Sequence, residues 1–453
     1  MATLNKKKVS TPVYNNEGTR VKKLTPLQEL HRAVLSTFLW EDGCYEDGAS
    51  FVDRVSLLIP KVKPEDVAAL AIRARNEFKL RHIPLFIVRE MVRHEKHRPL
   101  VSFVINEIIQ RPDELTELIA IYWKDGRRMI PKQMKKGLSQ AFTKFDEHAL
   151  SKYNRDNEIK LRDVLFLIHA KPIDKKQDKL WKRLINDELK TPDTWEVELS
   201  QSKDKKASWT RLLAENKLGG LAFLRNLRNI SQAGIERSVV REYFKTANFN
   251  KVLPFRFIAA SIHAPEFEPE LEKAMLKSLD TLDKLKGKTA LIIDTSPSMW
   301  MDKVSAKSEM TRFDAAAALA ILARGICDDI DIYAFNIKSY SIPPRQGFAL
   351  KDALAKTKGG ASCGGLAVAE ANKNGYDRII VLSDGQWHYP KEGSSFYTSD
   401  DPIKVSPHPL TDKAYMINVS NTKNGVGYGR WTNINGFSES VINYIQSIES
   451  CSF

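Results

Sequence analysis

Leu291-Ile292-Ile293-Asp294-Thr295-Ser296-Pro297-Ser298-Met299 is an apolar run of strand length that ends in a carboxylate and is followed by hydroxyls at alternate positions. In an α/β fold the C-terminal edge of such a strand opens into the crevice where ligands bind. Asp294, Ser296 and Ser298 would there present oxygen to a hard divalent cation, which prefers oxygen ligands and keeps several waters. Val381-Leu382-Ser383-Asp384-Gly385 repeats the pattern, an apolar strand closed by a carboxylate. The plain alternative is that Ser296 and Ser298 only satisfy backbone groups at a strand-to-helix turn. Around these segments the periodicity predicts strands at 289–294, 330–335, 378–382 and 414–419. Helices are predicted at 311–326, 351–356, 366–374 and 441–448. Alternating strands and helices argue for a parallel, doubly wound sheet.

Upstream the pattern is different. Thr25-Pro26-Leu27-Gln28 is a helix start, with a capping threonine, proline in the first turn and a glutamine placed to complete a capping box. Apolar residues then recur at helical spacing, first through Leu27, Leu30, Val34, Leu35 and Phe38, then through Phe51, Val55, Leu58 and Ile59. From Pro64 onward helix follows helix to about residue 283, and convincing alternating strands are missing. Short helices joined by brief polar turns describe a HEAT- or armadillo-like solenoid, although no fixed sequence period is visible. A globular all-helical domain is the alternative. Lys284-Leu285-Lys286-Gly287 marks the switch. The fold class expected is therefore multi-domain: a basic flexible tail at 1–23, an all-α helical-repeat domain at 24–284 and an α/β domain at 285–453.

Composition narrows the function. The 453 residues, 42% hydrophobic and 28% charged, exceed what one core usually organises and fit a soluble globular protein. Cys44, Cys327, Cys363 and Cys451 are scattered, which suggests reduced thiols and a cytoplasmic location. The first 23 residues lack the apolar core of a signal peptide, and the run Ala315 to Ala323 is too short to span a bilayer. No membrane partner is expected. The net charge of +14 is uneven: residues 286–453 hold 18 Lys+Arg against 17 Asp+Glu, so subtraction from 70 and 56 leaves 52 against 39 for residues 1–285. Such asymmetry suggests a polyanion, most often nucleic acid; a lysine-rich solvated surface is the bland alternative.

Two basic clusters carry that excess. One comprises Lys79, Arg81, His82, Arg89 and Arg93, continuing through His94, Lys96, His97 and Arg98; the other comprises Lys124, Arg127, Arg128, Lys132, Lys135 and Lys136, beside Tyr122 and Trp123. Phosphates need Lys and Arg, and exposed bases stack on aromatics and guanidinium planes. Tyr122 and Trp123 by themselves read better as core. The nine histidines fall in no H-E-x-x-H frame and no G-x-x-x-x-G-K-[ST] loop occurs, so no catalytic residue is assigned and a non-enzyme is expected.

The D-x-S-x-S spacing resembles the metal-ion-dependent adhesion site (MIDAS) of von Willebrand factor A domains. In that family a threonine follows a Gly-Gly pair in the second loop; here Gly359-Gly360 is followed by Ala361-Ser362. The resemblance thus implies Mg2+ or Mn2+ held by Asp294, Ser296, Ser298 and Asp384, with Ser362 as the fifth member because Ala361 stands at the threonine position. Over nearly the whole chain the sequence resembles the TROVE family, the Ro ribonucleoprotein and its bacterial counterparts. The matching segments are Trp40 to Tyr45, Arg81-His82-Ile83-Pro84-Leu85, Lys136-Gly137-Leu138, Arg162 to Leu165, His169-Ala170-Lys171-Pro172, Leu221 to Ile230 and Pro254-Phe255. The resemblance implies a ring of HEAT-like helical repeats closed by a Rossmann-like von Willebrand A domain. It further implies Y-like structured RNA on the outer surface, touched by His169 and Lys171, and single-stranded ends of misfolded RNA in the central hole. Bacterial members associate with an exoribonuclease.

The expected function is that of a non-catalytic RNA-binding ring that surveys noncoding RNA or scaffolds an RNP. The rival is a metal-dependent protein-interaction module whose helical half is a spacer. A nuclease is a third option, opposed by the absence of a clustered acidic or histidine site.

Overall fold

The computed structural model describes residues 11–16, 18, 20–21, 23–37, 39, 46–191, 194–250, 252–280, 282–304, 308–388, 408–436 and 441–450. The family-like segment Trp40 to Tyr45, the first ten residues, Cys44 and Cys451 lie outside them. The chain divides into two compact units, Met1–Gly48 with Asp283–Phe437, and Ala49–Leu282 with Ser438–Phe453.

The first unit is an α/β domain. Six strands form its sheet: β1 (Leu285–Asp294), β2 (Cys327–Phe335), β3 (Ser339–Ile342), β4 (Arg378–Ser383), β5 (Lys413–Asn418) and β6 (Thr432–Asn435). Their order is β3-β2-β1-β4-β5-β6, parallel at every pairing except β2/β3. From Ala290 to Asp294 every residue of β1 is buried, as expected of a central strand covered on both faces. One face packs Ile292, Val381, Met416, Phe335 and Trp387 into a single cluster. The helix Arg312–Ile326 is buried along most of its length, and its alanines let the helix axis lie close to the sheet. The edge strands β3 and β6 escape the sequence reading because they are four residues long and largely polar.

The helix Pro26–Leu35 belongs to this unit and not to the helical one, which corrects the boundary at residue 24. Its capping box is the one expected, with Thr25 Oγ1 accepting from the Gln28 amide at 3.2 Å. It packs against β6 so closely that a Cβ on Gly436 would lie 1.5 Å from the Leu35 carbonyl oxygen. Arg32, fully buried on that helix, donates to the Val426 carbonyl at 3.1 Å and lies 4.6 Å over the Tyr428 ring. The tail at 1–23 is not uniformly free either. Asn15 donates its side-chain amide to the Trp387 carbonyl at 2.9 Å, and the Asn16 amide donates to Gln386 Oε1 at 2.8 Å.

The second unit is built from short helices in succession, as the periodicity predicted. Side-chain bonds join segments distant in sequence, at separations from 25 to 43 residues and at no single period. Among them, Arg81 to Glu117, Gln177 to the Thr143 carbonyl, Arg183 to Glu147 and Ser231 to Glu266 bridge 34 to 36 residues. Each bond ties one part of the helical succession to a later one, and the side chains that do so vary. The terminal helix Val441–Ser450 also belongs here: Tyr444 lies 3.9 Å under the Arg73 guanidinium. The linear division at 284 and 285 is thus corrected at both ends of the chain.

Candidate cation site and nucleic-acid surface

In the strand order β3-β2-β1-β4-β5-β6 the direction of succession reverses between β1 and β4, which is where a doubly wound sheet opens its ligand crevice. Asp294 ends β1 and Asp384 follows β4, so both carboxylates stand at that opening, each wholly buried. The two turns are built alike. The Ser296 amide donates to Asp294 Oδ1 at 2.9 Å, and the Gln386 amide donates to Asp384 Oδ1 at 3.0 Å. The hydroxyls converge as well. Ser298 Oγ donates to Asp384 Oδ2 at 2.5 Å, Ser296 and Ser298 hydroxyls are 3.4 Å apart, and Ser362 Oγ donates to Asp294 Oδ2 at 2.7 Å. Ser362 therefore reaches the site from the loop in which Ala361 replaces the hydroxyl, and all five expected residues are brought together.

Two members were not foreseen. Ser383 Oγ donates to Asp294 Oδ2 at 2.8 Å and accepts from Trp387 Nε1 at 2.9 Å. Trp387 fits because Gly364, at the start of the helix Gly364–Asn372, has no Cβ; one there would lie 2.3 Å from the indole. A serine before a strand-end carboxylate carries no signal of its own, and the tryptophan contact joins distant segments. Burial, and then the adjacent Asp384 charge, push the Asp294 carboxyl up to about 7. Among the described residues no group of three or more His, Cys, Asp or Glu is placed to hold a metal. A cation here would rest on two carboxylates, hydroxyls and waters, a donor set suited to Mg2+ or Mn2+ and unsuited to soft metals.

The basic clusters separate on folding. Arg89 is 5% exposed, with ion pairs to Asp125 and to Glu90, and its assignment as an RNA contact is corrected: its charge is spent inside the unit. Arg93 shares the same two acids. Arg81 is ringed by Asp113, Glu114 and Glu117, with His82 beside Glu117. His97, also in that cluster, is buried, and burial and His94 lower its pKa, so it is a neutral core histidine. Lys79 is exposed and bonds the Asn76 carbonyl. The second cluster remains at the surface: Lys124, Arg127, Arg128, Lys132 and Lys136 are exposed and Lys135 is half-buried. Tyr122 is core, with its hydroxyl bonded to the Met129 carbonyl at 3.0 Å, while Arg127 and Arg128 lie over the Trp123 and Tyr122 rings.

In the helical unit, among the described residues, the large aromatics that face water are Phe103, 54% exposed, and Phe166, 58% exposed. They belong to the helices Val101–Ile108 and Leu161–Ile168, which flank the helix Lys132–Phe142. Val101–Ile108 and Lys132–Phe142 are pressed together where Gly137 meets Ile105 and Ser102. Each of the three buries a stripe on one side, and Phe103, Lys132, Lys136 and Phe166 lie outside those stripes, exposed to water. Their signal was readable: Phe166 falls outside the Leu161, Val164, Leu165, Ile168 stripe.

His169 is the C-cap of its helix in left-handed conformation, φ 53° and ψ 47°, and its amide bonds the Leu165 and Phe166 carbonyls. The cap is made by its backbone, while the imidazole and Lys171 are exposed. His169→Gly removes the ring and favours the left-handed cap, so stability should hold or rise by about 0.4–1 kcal/mol. If the imidazole touches RNA, affinity for a stem-containing RNA should fall in the same protein. Melting and filter binding measured side by side separate the two roles.

Among the described residues no helix is long and apolar enough to cross a membrane, and Cys327 and Cys363 are buried and in no disulfide. Residues 182–320 match the TROVE domain family. The chain is 35% identical over 89 residues to mouse (Mus musculus) telomerase protein component 1, covering 18% of this chain and 3% of that protein. To the rat (Rattus norvegicus) telomerase protein component 1 it is 22% identical over 352 residues, or 58% of this chain and 13% of that protein. The chain thus spans a small part of these relatives. A crystal structure of the Ro (RSR) protein of Deinococcus radiodurans superposes with a TM-score of 0.58 at 15% identity, over 92% of this chain and 99% of that one. The chain thus shares the fold of a Ro protein along most of its length and matches the TROVE domain family over residues 182–320.

Proposed function

We propose that this protein binds RNA through its helical unit. The observation that carries the reading is that three helices packed in succession, Val101–Ile108, Lys132–Phe142 and Leu161–Ile168, expose the rings Phe103 and Phe166 and the lysines Lys132 and Lys136. Lysines hold a backbone and flat rings accept bases of any sequence, the two components of single-strand recognition. Single-stranded RNA ends are the partner this surface fits, and a small structured, Y-like RNA is the partner proposed for His169 and Lys171. A role in noncoding RNA surveillance or as an RNP scaffold follows from holding both. The test compares an RNA bearing a single-stranded tail with a blunt duplex of equal length across a salt series. The tailed RNA is expected to bind more tightly, with affinity falling steeply as salt rises. Equal affinity for both RNAs defeats the reading.

The α/β unit supports a second reading, a cation-dependent protein contact, because Met301 (71% exposed) and Ile337 (39% exposed) lie close in sequence to the site loops. An exoribonuclease or another protein is the partner class proposed there. Asp294, Ser296, Ser298, Ser362 and Asp384 would hold the Mg2+ or Mn2+, which would supply an open position to an acidic group of the partner. A cation at about 100 times its Kd should stabilise the fold by about 2.7 kcal/mol. Asp294→Ala should abolish that gain and leave RNA affinity unchanged. No cation-dependent shift in melting at millimolar Mg2+ or Mn2+ would remove the cation from the reading.

A further inference from the structure

We propose that a cavity in the helical unit, between the helices Arg237–Thr246 and Glu268–Leu279, receives one nucleotide of a single-stranded RNA. The inference rests on the RNA reading above but on different residues. The cavity measures about 580 Å³, within the range of roughly 300–1,000 Å³ usual for small-ligand sites. Phe244 and Phe249, stacked on each other at 5.9 Å, form its apolar wall with Pro269. Four cations line it, against the single carboxylate of Glu270. Arg241 neutralises that carboxylate at 3.0 Å, and Lys245 is engaged by Glu242 at 2.6 Å.

Lys273 and Lys277 are different. They lie one turn apart on the same helix, both exposed, and no ion pair engages either among the described residues. Like charges at that spacing repel, at a cost of a few tenths of a kcal/mol. Two unneutralised lysines beside an apolar wall match an anion that carries a flat apolar body. A nucleotide has that shape: phosphate for Lys273 and Lys277, base for the phenyl and proline wall. Asn250 also lines the cavity and brings an amide to the base side. An acidic peptide would satisfy the lysines and leave the aromatic wall unused.

The test uses the full chain and a 5′-phosphorylated uridine tetranucleotide, followed by calorimetry and ligand-observed NMR. Lys273→Glu with Lys277→Glu should weaken binding of the tetranucleotide at least tenfold, and because both side chains are exposed the variant should melt as the parent does. A tetranucleotide with 4-thiouridine should crosslink within residues 241–250. In the lysine variant that crosslink should disappear, whereas any crosslink near Phe103 and Phe166 should persist. Undiminished tetranucleotide binding in the lysine variant overturns the cavity proposal while leaving the RNA reading intact. Failure of the parent to bind any RNA overturns both. Displacement of the tetranucleotide by the free nucleoside monophosphate alone, with equal affinity, overturns the assignment to an RNA strand. Occupation by decanoate with no RNA bound overturns the ligand class.

Discussion

Phe103→Ala combined with Phe166→Ala is expected to reduce affinity for single-stranded RNA by at least about thirtyfold and to leave the melting temperature nearly unchanged. Stacking of a base on an aromatic ring contributes roughly 1–3 kcal/mol, and every 1.4 kcal/mol is tenfold in affinity. The two rings are 54% and 58% exposed, so truncation opens no cavity and forfeits little apolar burial. Stability and binding should therefore separate cleanly. Lys132→Gln with Lys136→Gln offers the complementary result: a smaller loss of affinity, but a salt dependence flattened by about two phosphate contacts. Should the double alanine protein bind single strands as the parent does, Phe103 and Phe166 are not where RNA lies, and the basic loop at Lys124 to Arg128 becomes the place to look.

Trp387→Ala is expected to be the most destabilising single change in the α/β unit, by about 3–5 kcal/mol. The indole is fully buried, stands edge-on to Phe335 at 5.7 Å and occupies the space that Gly364 leaves open. Its loss also removes the Nε1 donor from Ser383, whose hydroxyl braces Asp294. Trp387→Phe keeps most of the packing and deletes only the donor, so it should cost nearer 1 kcal/mol. Urea denaturation followed by circular dichroism measures both, because the far-ultraviolet signal does not depend on the removed chromophore. If the phenylalanine protein is as unstable as the alanine one, the hydrogen bond outweighs the packing, contrary to the burial argument. Any cation-dependent stabilisation should fall in both variants, since each loosens the serine that fixes the Asp294 carboxylate.

Much of this architecture was legible before any coordinates. The central strand announced itself because a strand covered on both faces must be apolar throughout, and 290–293 is. Asp294 and Asp384 were legible because a carboxylate closing such a run has no place in a core and must stand at the strand end. The helical half was legible in type but not in period. HEAT-like pairs need apolar stripes and not particular residues, so no word has to repeat along the chain. The edge strands, too short and too polar to show alternation, were not legible.

What the sequence by itself determined is local: helical or extended, buried or solvated stripe, a carboxylate at a strand's end. Those follow from periodicity and side-chain chemistry, which each segment carries alone. Tertiary structure decided everything that depends on a distant partner. Arg89 and Lys136 are equivalent in a count of charge, yet Asp125 and Glu90 take the first out of play and nothing in the described residues neutralises the second. Ser362 joins the candidate site because its loop brings the hydroxyl to Asp294, 68 residues away. The helix at 26–35 reads like its neighbours at 48–58 and 64–76, but the space over β6 that Gly436 leaves open assigns it to the α/β unit. A charge, a hydroxyl or an apolar stripe states what it can bind; only the packed chain states whether that partner is already inside the protein.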